Sequence, residues 1–186
     1  WNILEGHGRS ALDIGCAYGF VTDLLTKLGY KACGVDVSKH AIKMGKLILK
    51  KKIDVCLSDA QFLPFKKGLF DLITCFVTIE HVIDPTSVLA SVYELLNRDG
   101  VLIMTTPIPG MISDLLLLER IRTPHWFHPS VKMPYEWIKL LESLKFSKIK
   151  TGYSLLLPIP PTLFNRYFLV DCTPYLSTKL TLVAFK

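Results

Sequence analysis

Short apolar runs alternate with amphipathic stretches over the first half of the chain. The runs at 10–14, 31–35, 53–57, 69–76 and 101–105 are bounded by turn residues and read as strands. Helical patterns occupy 18–28, 38–51 and 85–96. Ser38 suits an N-cap, Pro85 suits a first turn, and Asp99-Gly100 suits a stop. The run at 69–76 is apolar almost throughout, as in a parallel strand buried on both faces. Strand and helix in alternation predict an open, mostly parallel sheet with helices on both faces, a three-layer α/β/α arrangement.

Beyond 107 the pattern breaks. Residues 107–134 carry five prolines, and an apolar patch lies at Leu115–Leu118. A helix is predicted at 134–144 and a strand within 146–157. Pro158-Ile159-Pro160-Pro161 interrupts that strand, and an apolar, aromatic segment runs on to Tyr175. A last strand at 179–185 is expected to be antiparallel. The expectation is one domain over 1–186 with apolar insertions at 107–133 and 155–178. Connections of that length in a compact domain are usually lids or binding elements.

Composition narrows the class. Half of the 186 residues are hydrophobic and 20% are charged, so the chain is globular. The net charge of +6 is spread, apart from Lys50-Lys51-Lys52, which reads as a solvated helix end. No basic stripe is interleaved with aromatics, so no nucleic-acid partner is expected. The five cysteines form no CxxC pair and have no zinc spacing, which predicts a reducing, cytoplasmic compartment. No apolar run is long enough to span a bilayer. Trp1 opens the chain without methionine or signal-peptide form, the pattern of a segment cut from a longer chain.

The candidate chemistry sits at the ends of the predicted strands. Asp13-Ile14-Gly15-Cys16-Ala17-Tyr18-Gly19 joins the first strand to a helix, where Gly15 lets backbone approach a ligand and Gly19 lets the helix pack closely. Asp13 is placed to reach the turn's N–H groups or a cationic ligand group. A nicotinamide fingerprint would need glycine at Gly15, Ala17 and Phe20, and two of the three are missing. Asp36 ends the second strand, where a carboxylate can accept from a ribose diol, with Val37 beside it for a base to pack on. A helix cap is the plainer use of Asp36. Ser58-Asp59-Ala60-Gln61-Phe62-Leu63-Pro64-Phe65 follows the third strand with more apolar character than a solvated turn needs.

Taken in order, these segments resemble the class I S-adenosylmethionine (SAM)-dependent methyltransferases, in the small-molecule branch of the ubiquinone and menaquinone methyltransferases. The first segment is similar to their D-x-G-x-G-x-G, with Ala17 for the middle glycine. Asp59-Ala60 through Phe65 is similar to D-A-x-x-L-P-F. Phe70-Asp71 through Glu80-His81-Val82-Ile83-Asp84-Pro85 is similar to F-D-x-V-x-x-x-x-x-L-E-H-V-x-D-P. Leu95 to Leu102 is similar to L-x-P-G-G-x-L, with Arg98-Asp99 for Pro-Gly. The resemblance covers 12–107; beyond about 110 it is one of architecture only. It implies a Rossmann-like doubly wound fold and SAM as cofactor, with S-adenosylhomocysteine as product. It also implies a cofactor site at Asp13, Gly15, Cys16, Ala17, Gly19, Asp36, Val37, Asp59, Ala60, Gln61 and Phe76. Some relatives hold a divalent metal with E-x-x-E-H. Here the first position is Val77, so no metal is expected and Glu80 and His81 read as structural. The family also places helices before the first strand, where this chain has nine residues.

The resemblance implies a small-molecule acceptor, and the apolar insertions favour a lipid-like, quinone-like or aromatic one. Core packing and a homodimer contact are the competing uses of those insertions. His125 and His128 are the candidate general bases, against surface histidines in a proline-bounded loop; His81 is a third. The alternatives from other classes are a non-catalytic SAM- or nucleoside-binding module or partner subunit, and a nicotinamide oxidoreductase.

Overall fold

The computed structural model describes residues 5–50, 53–109, 129–158, 167–171 and 179–186, with backbone alone at 155–158 and 167–171. The chain runs β1 (Ser10–Ile14), α1 (Phe20–Lys27), β2 (Lys31–Asp36), α2 (Lys39–Leu49), β3 (Val55–Leu57) and β4 (Phe70–Phe76). A 3₁₀ turn (Ile79–His81), α3 (Pro85–Leu95) and β5 (Leu96–Pro107) follow. The second half holds α4 (Pro134–Ser143), β6 (Ser147–Pro158), β7 (Tyr167–Asp171) and β8 (Lys179–Phe185).

The strands form one eight-stranded sheet in the order β3-β2-β1-β4-β5-β8-β6-β7. The first five in that order are parallel to one another. β8 enters antiparallel between β5 and β6, as the sequence predicts for the last strand. Alternate residues of the central strands serve opposite faces. Leu12, Ile14, Ile73, Cys75, Leu102 and Met104 pack with α3 and with Trp137 and Leu141 of α4. Ala11, Leu72 and Val101 pack with Leu25 of α1 on the other face. The sheet is Rossmann-like and doubly wound.

Local chemistry explains the boundaries. α2 starts where the Ser38 hydroxyl accepts from the Ala41 amide at 3.1 Å. The Asp84-Pro85 pair is a helix start: Asp84 accepts from the amides of Thr86 and Ser87, both at 3.1 Å, and Pro85 fills the first turn. Asp71 ties strand ends together, accepting from the Ser10 amide at 2.7 Å and from Asn97 Nδ2 at 2.5 Å.

Two segments differ from expectation. Asp99-Gly100 is no helix stop. α3 ends at Leu95, and Leu96, fully buried and extended, already pairs with Phe70 before a bulge leads into the ladder with β4. Part of 155–178, expected as an apolar cover, is sheet: Leu155–Leu157 and Pro158 pair antiparallel with Tyr167–Val170. β-branched and aromatic residues there supply an extra edge strand to backbone that β8 does not reach.

Candidate functional site

The order β3-β2-β1-β4-β5 reverses between β1 and β4. In open α/β sheets such a switch point, at the carboxyl ends of the strands, is where ligands bind. A cavity of about 450 Å³ lies there. Its walls are the turn after β1, the ends of β2 and β3, and the segment after β4. The volume falls within the range of roughly 300–1,000 Å³ usual for small-molecule sites. A second cavity of about 570 Å³, among Leu63, Phe65, Tyr93, Glu94, Leu144 and Lys145, opens beside the amino end of β4 and receives no carboxyl end of a parallel strand.

The turn after β1 hangs from β2: the Gly15 and Cys16 amides donate to the Val35 carbonyl at 2.8 and 3.0 Å. Gly15 has φ +74°, and a Cβ there would overlap the Thr78 side chain. Glycine is therefore required by the protein's own packing as well as by its backbone conformation. Ala17 is also left-handed, at φ +45°. That geometry aims its amide at Asp36, whose Oδ2 accepts it at 2.8 Å, while Oδ1 accepts from the Ser38 amide at 2.7 Å. Two backbone amides thus pin the carboxylate on the cavity wall. A carboxylate has about four acceptor sites, so two are left for a diol. Asp59 is held similarly, accepting from the Gln61 amide at 2.9 Å.

The structure gathers Gly15, Ala17, Asp36, Val37, Asp59, Ala60 and Gln61 around this cavity. Four other expected cofactor residues, Asp13, Cys16, Gly19 and Phe76, do not line it. Asp13 is 2% exposed beneath the turn, accepting from the hydroxyls of Thr74 at 2.8 Å and Thr22 at 3.0 Å. Burial pushes its carboxyl up to about 6, against the lowering effect of those bonds; the nearby Asp36 charge also raises it. It braces β1, β4 and α1. Cys16 is buried over Gly34, and burial pushes its thiol up to about 12. Gly19 caps α1 at φ +78°, with Ile53 where a Cβ would stand. Phe76 ends β4, and the lining begins one residue later. His125 and His128 lie outside the described residues.

Sequence reasoning missed most of the wall after β4. Val77, Thr78, His81, Val82 and Ile83 all line the cavity. The switch-point rule applied to the end of the fourth strand would have pointed to them. Glu80, in the same turn, is fully buried, and among the described residues its carboxyl oxygens have no hydrogen-bond partner. Burial raises its pKa.

Among the described residues the charged lining is acidic: Asp36 and Asp59, with no lysine or arginine, in a chain whose net charge is +6. A pyrophosphate would meet carboxylates here, whereas a cationic nucleoside is attracted.

Fold and cavity together are those of a nucleoside-binding doubly wound sheet. The chain belongs to the methyltransferase domain family, whose sequence profile matches residues 12–104. A ubiquinone biosynthesis O-methyltransferase of Methylococcus capsulatus is 34% identical over 108 residues, 53% of this chain and 44% of that enzyme. Its counterpart in Pasteurella multocida is 33% identical over 112 residues, 53% of this chain and 46% of that enzyme. The matched stretch thus spans under half the length of these curated relatives. A SAM-dependent methyltransferase from Archaeoglobus fulgidus superposes with a TM-score of 0.75 at 20% identity, covering 98% of this chain and 88% of that one. The cofactor is SAM.

Proposed function

We propose that this chain methylates a small, apolar acceptor of lipid-like, quinone-like or aromatic character, at the end of the cavity beyond β4. The acidic nucleoside cradle is the observation that carries the reading. Asp36 offers its free lone pairs to the ribose diol, Asp59 and Ala60 meet the adenine edge, and Val37 packs on its face. The turn at Gly15–Ala17 brings backbone close to the cofactor. When bound, SAM supplies an electrophilic methyl group on a sulfonium, and the acidic surroundings suit that positive charge.

The acceptor side is apolar. Val77 is 41% and Ile83 82% exposed within the cavity wall. The ubiquinone-pathway names of the relatives fit such an acceptor. His125 and His128 remain the proposed bases for a protonated nucleophile, joined by His81 from the cavity wall. Cys16, Cys33, Cys56 and Cys75 are free thiols, which suits a cytoplasmic setting. Among the described residues no helix is long and apolar enough to cross a membrane.

Isothermal titration with SAM, S-adenosylhomocysteine and NAD tests the cradle. Micromolar binding of the first two without NAD is expected; NAD binding without SAM would overturn the reading. Transfer of labelled methyl from SAM to catechols and quinols then separates an enzyme from a binding module.

A further inference from the structure

Among the described residues six non-glycines have positive φ: His7, Ala17, Lys50, Val77, Lys145 and Lys148. Five are unbranched at Cβ. Val77, at φ +51°, is the β-branched exception. This region crowds Cβ against the backbone, and branching at Cβ makes the conformation rarer still. Such geometry persists only where the surroundings over-determine it, and it clusters at functional sites.

The surroundings do so here. The Val77 amide donates to the Thr105 carbonyl at 2.9 Å, fixing the backbone to β5. Next along the chain, the Thr78 hydroxyl donates to the Phe76 carbonyl at 3.0 Å, and its side chain fills the space above Gly15. The seam between the β1 and β4 turns therefore holds Val77 left-handed. Core packing does not explain the residue, because it is 41% exposed and lines the cavity. It stands at the end of β4, while the nucleoside acids Asp36 and Asp59 stand beyond β2 and β3.

We propose that Val77 determines acceptor specificity: its left-handed backbone turns an apolar wall onto the acceptor beside the reacting methyl. The proposal rests on the methyltransferase reading, and its test separates the two. Valine at a position that favours glycine or asparagine is explained by selection for apolar contact, with Val82 and Ile83 continuing the surface.

The test uses Val77→Gly and Val77→Asn in the full chain, each loaded with S-adenosylhomocysteine. Three quantities are read: the thermal midpoint, the affinity for S-adenosylhomocysteine, and the affinity for the neutral apolar fluorophore N-phenyl-1-naphthylamine. Relief of strain should raise the midpoint in at least one variant. Cofactor-product affinity should stay within twofold, and fluorophore affinity should fall at least fivefold in both. A lowered or unchanged midpoint in both variants removes the strain and overturns the proposal. So does unchanged fluorophore binding in the variants, or a wild type that binds the product but not the fluorophore. A wild type that fails to bind S-adenosylhomocysteine overturns the methyltransferase reading itself, before any variant is made.

Discussion

The two sides of the cavity are built on opposite principles. On the side of β1 to β3, both carboxylates that line the cavity are already held by the protein. Asp36 is pinned by the amides of Ala17 and Ser38, and Asp59 by that of Gln61. On the side of β4 and β5, the backbone is strained at Val77, and among the described residues the fully buried carboxyl of Glu80 has no hydrogen-bond partner. The first side is preorganised for a ligand with constant chemistry. Ala17 on the first side is left-handed too, but its amide there holds Asp36; the second side keeps a left-handed β-branched residue and an unpartnered buried carboxyl, features seldom kept without functional cause. A cofactor site rewards rigidity, and an acceptor site is where one fold is adapted to different substrates.

The sharpest way to break this comparison is at the seam. In Gly15→Val a β-branched side chain would overlap Thr78 at φ +74°, disturbing the β1 and β4 turns together. The expected cost is roughly 3 kcal/mol or more, with SAM binding abolished. The clash is with the protein as well as with any ligand, so chemical denaturation reports it even in the apo chain. A near-native denaturation midpoint would show that the two turns move independently.

Asp36→Ala should break one side alone. Its charge-assisted bonds are worth about 1.5–3 kcal/mol each, so SAM affinity should fall at least tenfold. The fold should survive with a modest loss of thermal midpoint, since the freed amides lie near solvent. Unchanged SAM affinity with a collapsed midpoint would make Asp36 a turn brace and nothing more.

The polar side was legible in the sequence because its chemistry lies in contiguous segments. Asp13 to Gly19, Asp36-Val37 and Asp59 to Gln61 each combine a strand end with the residues that turn the chain. What misled was the assumption that a conspicuous acid faces the ligand. Asp13 points at Thr22 and Thr74, which lie far apart in sequence and meet it only across α1 and β4. The apolar side was hardly legible. Nothing in the sequence shows the left-handed φ of Val77, and Glu80, read as structural, gives no sign that its buried carboxyl lacks a hydrogen-bond partner among the described residues. β7 was hidden by the prolines that precede it.

Asp13 tests the base on which both sides stand. Its folded carboxyl, at about 6, lies above the ordinary 3.8, so the folded state holds the proton more tightly. Its contribution to stability is therefore full below the unfolded value and is lost as pH rises through about 6. A shift of about two units corresponds to roughly 3 kcal/mol. Asp13→Asn keeps the shape and removes the charge. Compared by urea unfolding at a series of pH values, the variant should lose less stability than wild type between pH 4 and pH 7. At pH 7 it should be at least as stable. Parallel profiles would show that Asp13 is solvated well enough to titrate normally.

The smallest effect compares two left-handed residues across the cavity. Ala17 and Val77 share nearly the same φ, at +45° and +51°, but the proposed use of each differs. Ala17 serves through its amide, which glycine keeps; Val77 serves through its side chain, which glycine lacks. In Ala17→Gly the relief of about 1–2 kcal/mol for an L-residue in this region is set against about 0.4–1 kcal/mol of extra chain entropy in the unfolded state. The expected result is a net gain of up to about 1 kcal/mol, or roughly 2–4 °C in the thermal midpoint for a chain of this size. SAM affinity should stay within twofold, because the bond to Asp36 comes from the backbone. A tenfold loss of affinity would mean that the Ala17 methyl itself packs on the cofactor, and the division between a side that works through backbone and a side that works through side chains would then fail.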